Sequence, residues 1–419
     1  MGESTWYKMD NVAKVFLASL DKRDPRSFRV SATLKEEVDP EALKSAAKIT
    51  AQQCPQYQVT IRRGIFWHYM EQTEKLPVVE EEKDRPCPLL YGSEHRRMLH
   101  YKVSYFHKRI SIDMFHALAD GNGGLQYLNV LLRNYFEIKY PGSMDGISAH
   151  SGASVHDLNE DSFSQFFEKQ DKILPKKNQR PKAYHPRGGQ LPYNQTQFFE
   201  LHMSVSAMLQ EAKNYHTTLT CYLGALLLMS IYKDMPVLMK NKPITISMPV
   251  NLRNYFPSET GRNFFNSVYV THQFQGGESI ESLAKEFDQK LKEQLKPEVI
   301  IDGMNNFEKI EKLWFVRLVP LFIKNRVVAS GAKKEVKRVS AVLSNLGKVP
   351  CPNEYHRFVD GYNAYCSTSG IFLTLASYED DLSFGICSTY RNTGILKNFV
   401  KSLTEKGIEV TLYATEVVS

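Results

Sequence analysis

An α+β fold in two lobes is what this 419-residue chain predicts, and three observations carry the expectation. Stretches in which apolar and polar residues alternate, the pattern of a half-buried strand, are interspersed with stretches whose apolar positions recur at helical spacing. Both kinds occur in each half of the chain, without the strict strand–helix–strand alternation that builds a parallel α/β sheet. The length itself exceeds what one ordinary core organises, which favours two domains or two fused halves.

Taken in order, Ser27 to Leu34 alternates as a strand, and Asp39-Pro40 opens a helix to about Gln53. Aspartate caps a helix well and proline suits its first position. Gln58 to Arg63 and Ile65 to Tyr69 flank Gly64 as a hairpin. A second hairpin pairs His100–Tyr105 with Arg109–Phe115, turning near His107-Lys108, and it delivers His116 at a strand end. Gly121-Asn-Gly-Gly124 cannot extend that strand, and helical spacing begins at Leu125. From 146 to 197 Gly, Ser, Asp, Pro and Lys dominate, with one short amphipathic stretch around Phe163 to Lys169. This segment reads as a surface linker between an N-terminal lobe, 1–145, and a C-terminal lobe, 198–419.

The second half restarts with a strand at Phe198–Ser204, a helix from Val205 and a long apolar helix, Leu219–Tyr232, whose capping residue is ambiguous. Pro243–Val250 is apolar enough for a central strand, and Phe264–His272 is another. Ile280–Leu295 is an amphipathic helix, and Glu311–Val328 reads as one helix kinked by Pro320. Ser340–Leu346 is strand-like, and Ser367–Tyr378 pairs with Leu382–Ser388 across Glu379-Asp380-Asp381. A helix at Thr393–Lys406 and a strand at Ile408–Ala414 follow.

Composition narrows the function. No run of eighteen apolar residues is present, so no integral membrane association is expected. The first residues lack a basic segment followed by an apolar one, and a cytoplasmic location is the expectation. Six scattered cysteines without a C-x-x-C pair argue against a zinc site and a disulfide framework. His95 and His100 belong to no recognisable ligand set, so no metal is expected. Net charge is +7, with basic clusters at Lys176-Lys177, Arg180, Lys182 and at Lys333-Lys334, Lys337-Arg338. No stacking or groove-reading motif accompanies them, which excludes nucleic acid; a polyanionic small ligand or a solvated surface fits the excess. Leu313–Arg326 has the pattern of a basic amphipathic helix lying on a membrane, but a core helix with snorkelling cations is the preferred reading.

His116-Ala-Leu-Ala-Asp120-Gly121 carries the chemistry. A histidine at a strand end, before a turn and facing a cavity, accepts a proton near physiological pH as few side chains do. The following glycines match no phosphate-binding pattern and read as a turn that lets backbones approach. The H-x-x-x-D-G sequence resembles the active-site motif of the coenzyme A-dependent acyltransferase superfamily, which includes chloramphenicol acetyltransferase, peptide-synthetase condensation domains and alcohol acetyltransferases. Pro249-Val-Asn-Leu-Arg253 followed by Gly261-Arg-Asn-Phe-Phe-Asn266 resembles that group's second-half strand, loop and strand. Ser344-Asn-Leu-Gly347 resembles its short late motif. Order and separation match over nearly the whole chain, most closely in the alcohol acetyltransferase-like branch. Phe115 stands where many condensation domains carry a second histidine.

The resemblance implies two chloramphenicol-acetyltransferase-like sandwich lobes with a tunnel between them. It implies acyl transfer from acyl-CoA, a co-substrate and not a resident cofactor, to an alcohol or amine in a direct ternary complex. His116 would act as general base, worth roughly 10²–10⁴-fold. Asp120 would brace the loop from behind with Arg253 as its partner, since a buried carboxylate without one is costly. The Gly121 N–H, the Ser344 hydroxyl and the Asn345 amide are the expected oxyanion donors. Two lobes in one chain supply both walls, so a monomer is expected. Two rival readings share the fold: a carrier-protein-dependent condensation or release enzyme, disfavoured by the lack of flanking domains in this length, and a catalytically silent binding protein.

Overall fold

The computed structural model describes residues 6–83, 85–92, 98–148, 155–167, 180–186, 189–192, 195–312 and 318–415. Strand β1 (Trp6–Lys8) leads into α1 (Asn11–Ser19), which Asp10 caps by accepting from the Ala13 N–H. Then come β2 (Ser27–Leu34) and α2 (Pro40–Gln53), with Asp39 accepting from Glu41 and Ala42 at the helix start. The hairpin β3 (Val59–Arg63) and β4 (His68–Gln72) is followed by β5 (Val78–Glu81). A second hairpin, β6 (Tyr101–Phe106) and β7 (Arg109–Phe115), precedes α3 (Gly121–Lys139). In the expected linker the described residues hold two short helices, α4 (Val155–Asn159) and α5 (Ser162–Gln165). They are anchored: the Leu158 carbonyl accepts from Gly261 N, and Phe163 is buried.

The second half begins with β8 (Gln197–Ser204), α6 (Val205–Asn214) and α7 (Leu219–Asp234), the last capped by Thr218. Next are β9 (Ile244–Asn251), β10 (Phe265–His272), α8 (Ile280–Gln294), α9 (Pro297–Lys312) and α10 (Leu321–Val336). Strands β11 (Ala341–Lys348), β12 (Val359–Cys366), β13 (Ile371–Tyr378) and β14 (Asp381–Ser388) precede α11 (Gly394–Thr404) and β15 (Thr411–Ala414).

These strands build two main sheets, each with its own apolar core. The first has the order β12-β2-β7-β6-β5 and packs against α2 and α3; the second has the order β10-β9-β11-β13-β14-β8-β15 and packs against α7, α8 and α11. A small antiparallel sheet, β1-β4-β3, flanks the first. Pairing is antiparallel except for β5 with β6 and for β11 with both β9 and β13. The first sheet therefore does not follow the division of the chain, because β12 comes from the second half and pairs in register with β2, Tyr362 opposite Ala32.

The two sheets meet where β12 crosses β14. A Cβ on Gly385 would overlap the Ala364 carbonyl oxygen, so only glycine permits the contact. Beside it Arg109 of β7 grips Glu200 of β8 through two bonds of 2.8 and 2.7 Å, and the Tyr365 hydroxyl donates to the same carboxylate at 2.9 Å. His202 lies between Glu200 and Asp381 at 2.8 and 3.0 Å. Burial alone would discharge this imidazole, yet the bonds to Asp381 and Glu200 hold its pKa up at about 9. A fully satisfied charged network of this kind locks one lobe to the other.

Two expectations need correction. Pro320 does not kink a continuous helix: the helical pattern is interrupted at Val319-Pro320, and Pro320 stands immediately before α10, where its missing N–H costs nothing. Nor is α10 a core helix, since Leu321 is its one buried residue and Phe322, Ile323 and Val327 are exposed. Leu313 to Arg317 and Lys176-Lys177 lie outside the described residues.

Candidate active site

His116 follows β7, which β2 and β6 flank, so the strand end is held on both sides. Its N–H donates to the Arg26 carbonyl at 2.8 Å. The imidazole stacks on Phe16 of α1 at 4.3 Å between ring centres and meets the edge of Phe28 at 5.0 Å and the tilted ring of Phe265 at 5.8 Å. Burial in this aromatic setting pushes its pKa below the ordinary 6.5.

Its Nδ1 lies 3.2 Å from Asn263 Oδ1. The amide orientation of Asn263 is set by its other end, where Nδ2 donates to the His116 carbonyl at 2.9 Å and to Asp10 Oδ2 at 3.4 Å. The His116 carbonyl can only accept, so Oδ1 faces the ring and Nδ1 carries the proton. Nε2 is then the basic nitrogen. Sequence reasoning missed Asn263: it lies 147 positions from His116, in a segment singled out only for its overall resemblance.

Asp120 turns away from the ring. Oδ1 caps α3 through Gly123 N at 3.1 Å, and Oδ2 accepts from Arg253 Nη1 at 2.8 Å and from Phe264 N at 3.0 Å. Arg253 also donates to the carbonyls of Thr260 at 2.8 Å and Arg262 at 2.7 Å. One ion pair thus ties the helix behind His116 to the loop between β9 and β10. Tyr57 adds a second tie, its hydroxyl lying 2.8 Å from the Gly261 carbonyl and 3.2 Å from that of Gly123. The backbones touch there, and a Cβ on Gly123 would overlap the Gly261 oxygen.

His116 lines a cavity of about 1350 Å³ walled by both lobes. Phe16 of α1 and Phe28 of β2 contribute from one side, and Pro249 of β9, Phe265 of β10 and Ser344 of β11 from the other. Gly121 sits where α3 begins, and a Cβ there would come within 2.8 Å of Leu346. Strand alternation puts Ser344 on the same face as Leu346, whereas Leu343 points into the second core. Asn345 lines the same cavity, but its amide is engaged with Thr220 Oγ1 at 3.0 Å and with Gly347 N at 2.8 Å. Of the basic clusters, Lys334 and Arg338 line the cavity, as does Arg26. The six cysteines are unpaired, and burial raises the thiol pKa of Cys54, Cys87, Cys366 and Cys387.

Two mixed sandwiches sharing a histidine-lined cavity define a class, the two-lobed acyltransferase and condensation fold of the chloramphenicol acetyltransferase type. The alcohol acetyltransferase family model matches residues 169–391, more than half of the chain, and the chain belongs to that family. Arg253, Ser344 and Asn345 fall inside the match; His116 and Asp120 precede it. A search of curated proteins finds no match. Among solved structures, the chain is similar to Fusarium sporotrichioides TRI101 complexed with coenzyme A and T-2, with 10% identity, a TM-score of 0.65 and coverage of 97% of this chain and 100% of the other. It is similar to the first condensation domain of the CDA synthetase at 11% identity and TM-score 0.65, covering 96% of each chain. Polyketide synthase associated protein 5 from Mycobacterium tuberculosis gives 14% identity and TM-score 0.61 over 95% of this chain and 96% of that one. At these identities the likeness establishes the fold. No helix among the described residues is long and apolar enough to cross a membrane.

Proposed function

We propose that this acyltransferase-family chain moves an acyl group from acyl-CoA to an alcohol, or to an amine in the same position, with His116 as general base. The observation that carries the reading is the bond between His116 Nδ1 and Asn263 Oδ1 beside a cavity lined from both lobes. It leaves Nε2 unprotonated, and burial keeps the ring neutral at pH 7. In the proposed step Nε2 takes the hydroxyl proton as the acceptor oxygen bonds to the thioester carbonyl carbon. The carbonyl π pair moves to oxygen, and the Ser344 hydroxyl or the Gly121 N–H donates to that oxyanion. Collapse re-forms the carbonyl, breaks the carbon–sulfur bond and returns the proton from Nε2 to the leaving thiolate. Asn263 keeps its bond to Nδ1–H throughout and so stabilises the transient imidazolium without placing a net charge beside it. Lys334 and Arg338 at the cavity wall suit the donor's phosphates.

The test is thiol release from acetyl-CoA with a panel of alcohols and amines, comparing wild type with His116→Ala. The expected loss is roughly 10²–10⁴-fold or more, with an unchanged unfolding midpoint. Equal rates in the two proteins would overturn the proposal, and faster turnover of an acyl-carrier-protein thioester than of acyl-CoA would replace the donor.

A further inference from the structure

Helix α10 has two dissimilar faces. Val328 and Ala332 line the cavity, whereas Phe322, Ile323 and Val327 point to solvent, Phe322 being 56% and Val327 68% exposed. The tip of the β3–β4 hairpin continues this apolar face. Leu321 N donates to the Ile65 carbonyl at 2.9 Å, and Lys324 Nζ donates to the Phe66 carbonyl at 3.0 Å and sits 5.4 Å from the centre of the Trp67 ring. Ile65 is 76% exposed, Trp67 53% and Leu318, just before the helix, 65%. A contiguous exposed group of large apolar side chains marks an interaction surface.

The charges around it identify the partner. Arg63 at the hairpin and Lys324, Arg326 and Lys333 on α10 lie on the same two elements as the apolar side chains. The two acids on the same elements are already paired, Glu71 with Arg62 and Glu335 with Arg180 and Arg338. A second copy docking about a two-fold axis would set these cations against themselves. An anionic bilayer accepts both features at once: the apolar side chains and Trp67 enter the headgroup boundary while the cations meet lipid phosphates.

We infer that the outer face of α10 and the β3–β4 tip form a docking surface for an anionic lipid bilayer. Docking there holds the cavity, lined by the opposite face of the same helix, beside the membrane. The test floats the full chain with vesicles of phosphatidylcholine alone and of phosphatidylcholine with one-third phosphatidylserine. Partitioning should be about tenfold or more stronger to the anionic vesicles and should weaken with salt. Phe322→Glu combined with Ile323→Glu should lower it at least about tenfold without moving the unfolding midpoint, since both side chains are exposed. Failure of the wild type to float with either vesicle, or equal floating of the double variant, overturns the inference. A wild-type dimer that the double variant splits would assign the face to self-association instead. None of these readouts depends on acyl transfer.

Discussion

Replacing Asp120 by alanine separates a brace from a catalyst. The side chain is 8% exposed and accepts three hydrogen bonds, from Gly123 N, Arg253 Nη1 and Phe264 N. The lost cap is worth about 1 kcal/mol. Leaving Phe264 N–H buried without an acceptor adds about 1–3 kcal/mol. Removing the counter-charge from the largely buried Arg253 guanidinium dominates, at roughly 3 kcal/mol or somewhat more. These costs overlap because all three bonds end on one carboxylate, so the expected total is roughly 4–6 kcal/mol and not their sum. That is a large fraction of the 5–15 kcal/mol typical of a whole fold. Urea unfolding followed by circular dichroism measures it. Asp120→Ala combined with Arg253→Ala should cost less than the two singles together, with a coupling of about 1–3 kcal/mol. Thiol release should fall in proportion to the folded fraction. A variant within about 0.5 kcal/mol of wild type that has nevertheless lost turnover would refute the brace and place Asp120 in the reaction.

Three further outcomes are expected. Asn263→Asp puts a carboxylate beside Nδ1 and should raise the His116 pKa by about 1–3 units; the acid limb of kcat/KM, below pH 6.5 in the wild type, should move up accordingly, and an unmoved limb would remove Asn263 from the positioning role. Ser344→Ala should lower kcat about 10–10³-fold with little change in KM if the hydroxyl serves the oxyanion, and steady-state kinetics on acetyl-CoA decides it. Asp10, whose pKa burial raises from 3.8 to about 7, gives folding a term that is complete below about pH 4 and is lost as pH rises through about 7. The stability of the wild type relative to Asp10→Asn should therefore fall by a few kcal/mol, on the order of 2–4, between pH 4 and 8, and parallel urea midpoints would contradict this.

What the residues announced locally, the structure has. Asp39-Pro40 starts α2, His107-Lys108 turns the β6–β7 hairpin, and His116 directly follows β7. Each is a short-range signal of capping, turn chemistry or period. What was illegible is long-range. Val359–Cys366 shows no clean alternation because β12 is buried on both faces, between the first core with α3 on one side and the crossing β14 on the other. Helix α1, whose Phe16 stacks on His116, is too short to announce itself. Asn263 meets His116 only because the first turn of α3 at Gly123 touches the loop at Gly261. Helix α10 misled for another reason: apolar residues mark a face that prefers to leave water, but they do not say what covers it.

The charge balance around His116 depends on a residue that never touches it. Burial lowers the imidazole pKa, and the largest opposing influence is the carboxylate of Asp120, which favours the protonated ring. Arg253 at 2.8 Å offsets that charge, and Asn263, the group bonded to Nδ1, is neutral. Burial keeps the ring neutral, and the groups that favour its charged form oppose this only weakly because they are uncharged or already paired. Arg253→Met removes the offset while filling most of the space, so the His116 pKa should rise, measured by its imidazole resonances and by the acid limb of turnover. Asp120→Asn removes the carboxylate instead and should lower it. Opposite shifts of about 0.5–1 unit are expected, because the groups are close and shielded from water. Shifts of the same sign, or none in either variant, would show that burial alone sets the base and that the ion pair serves only to hold the loop.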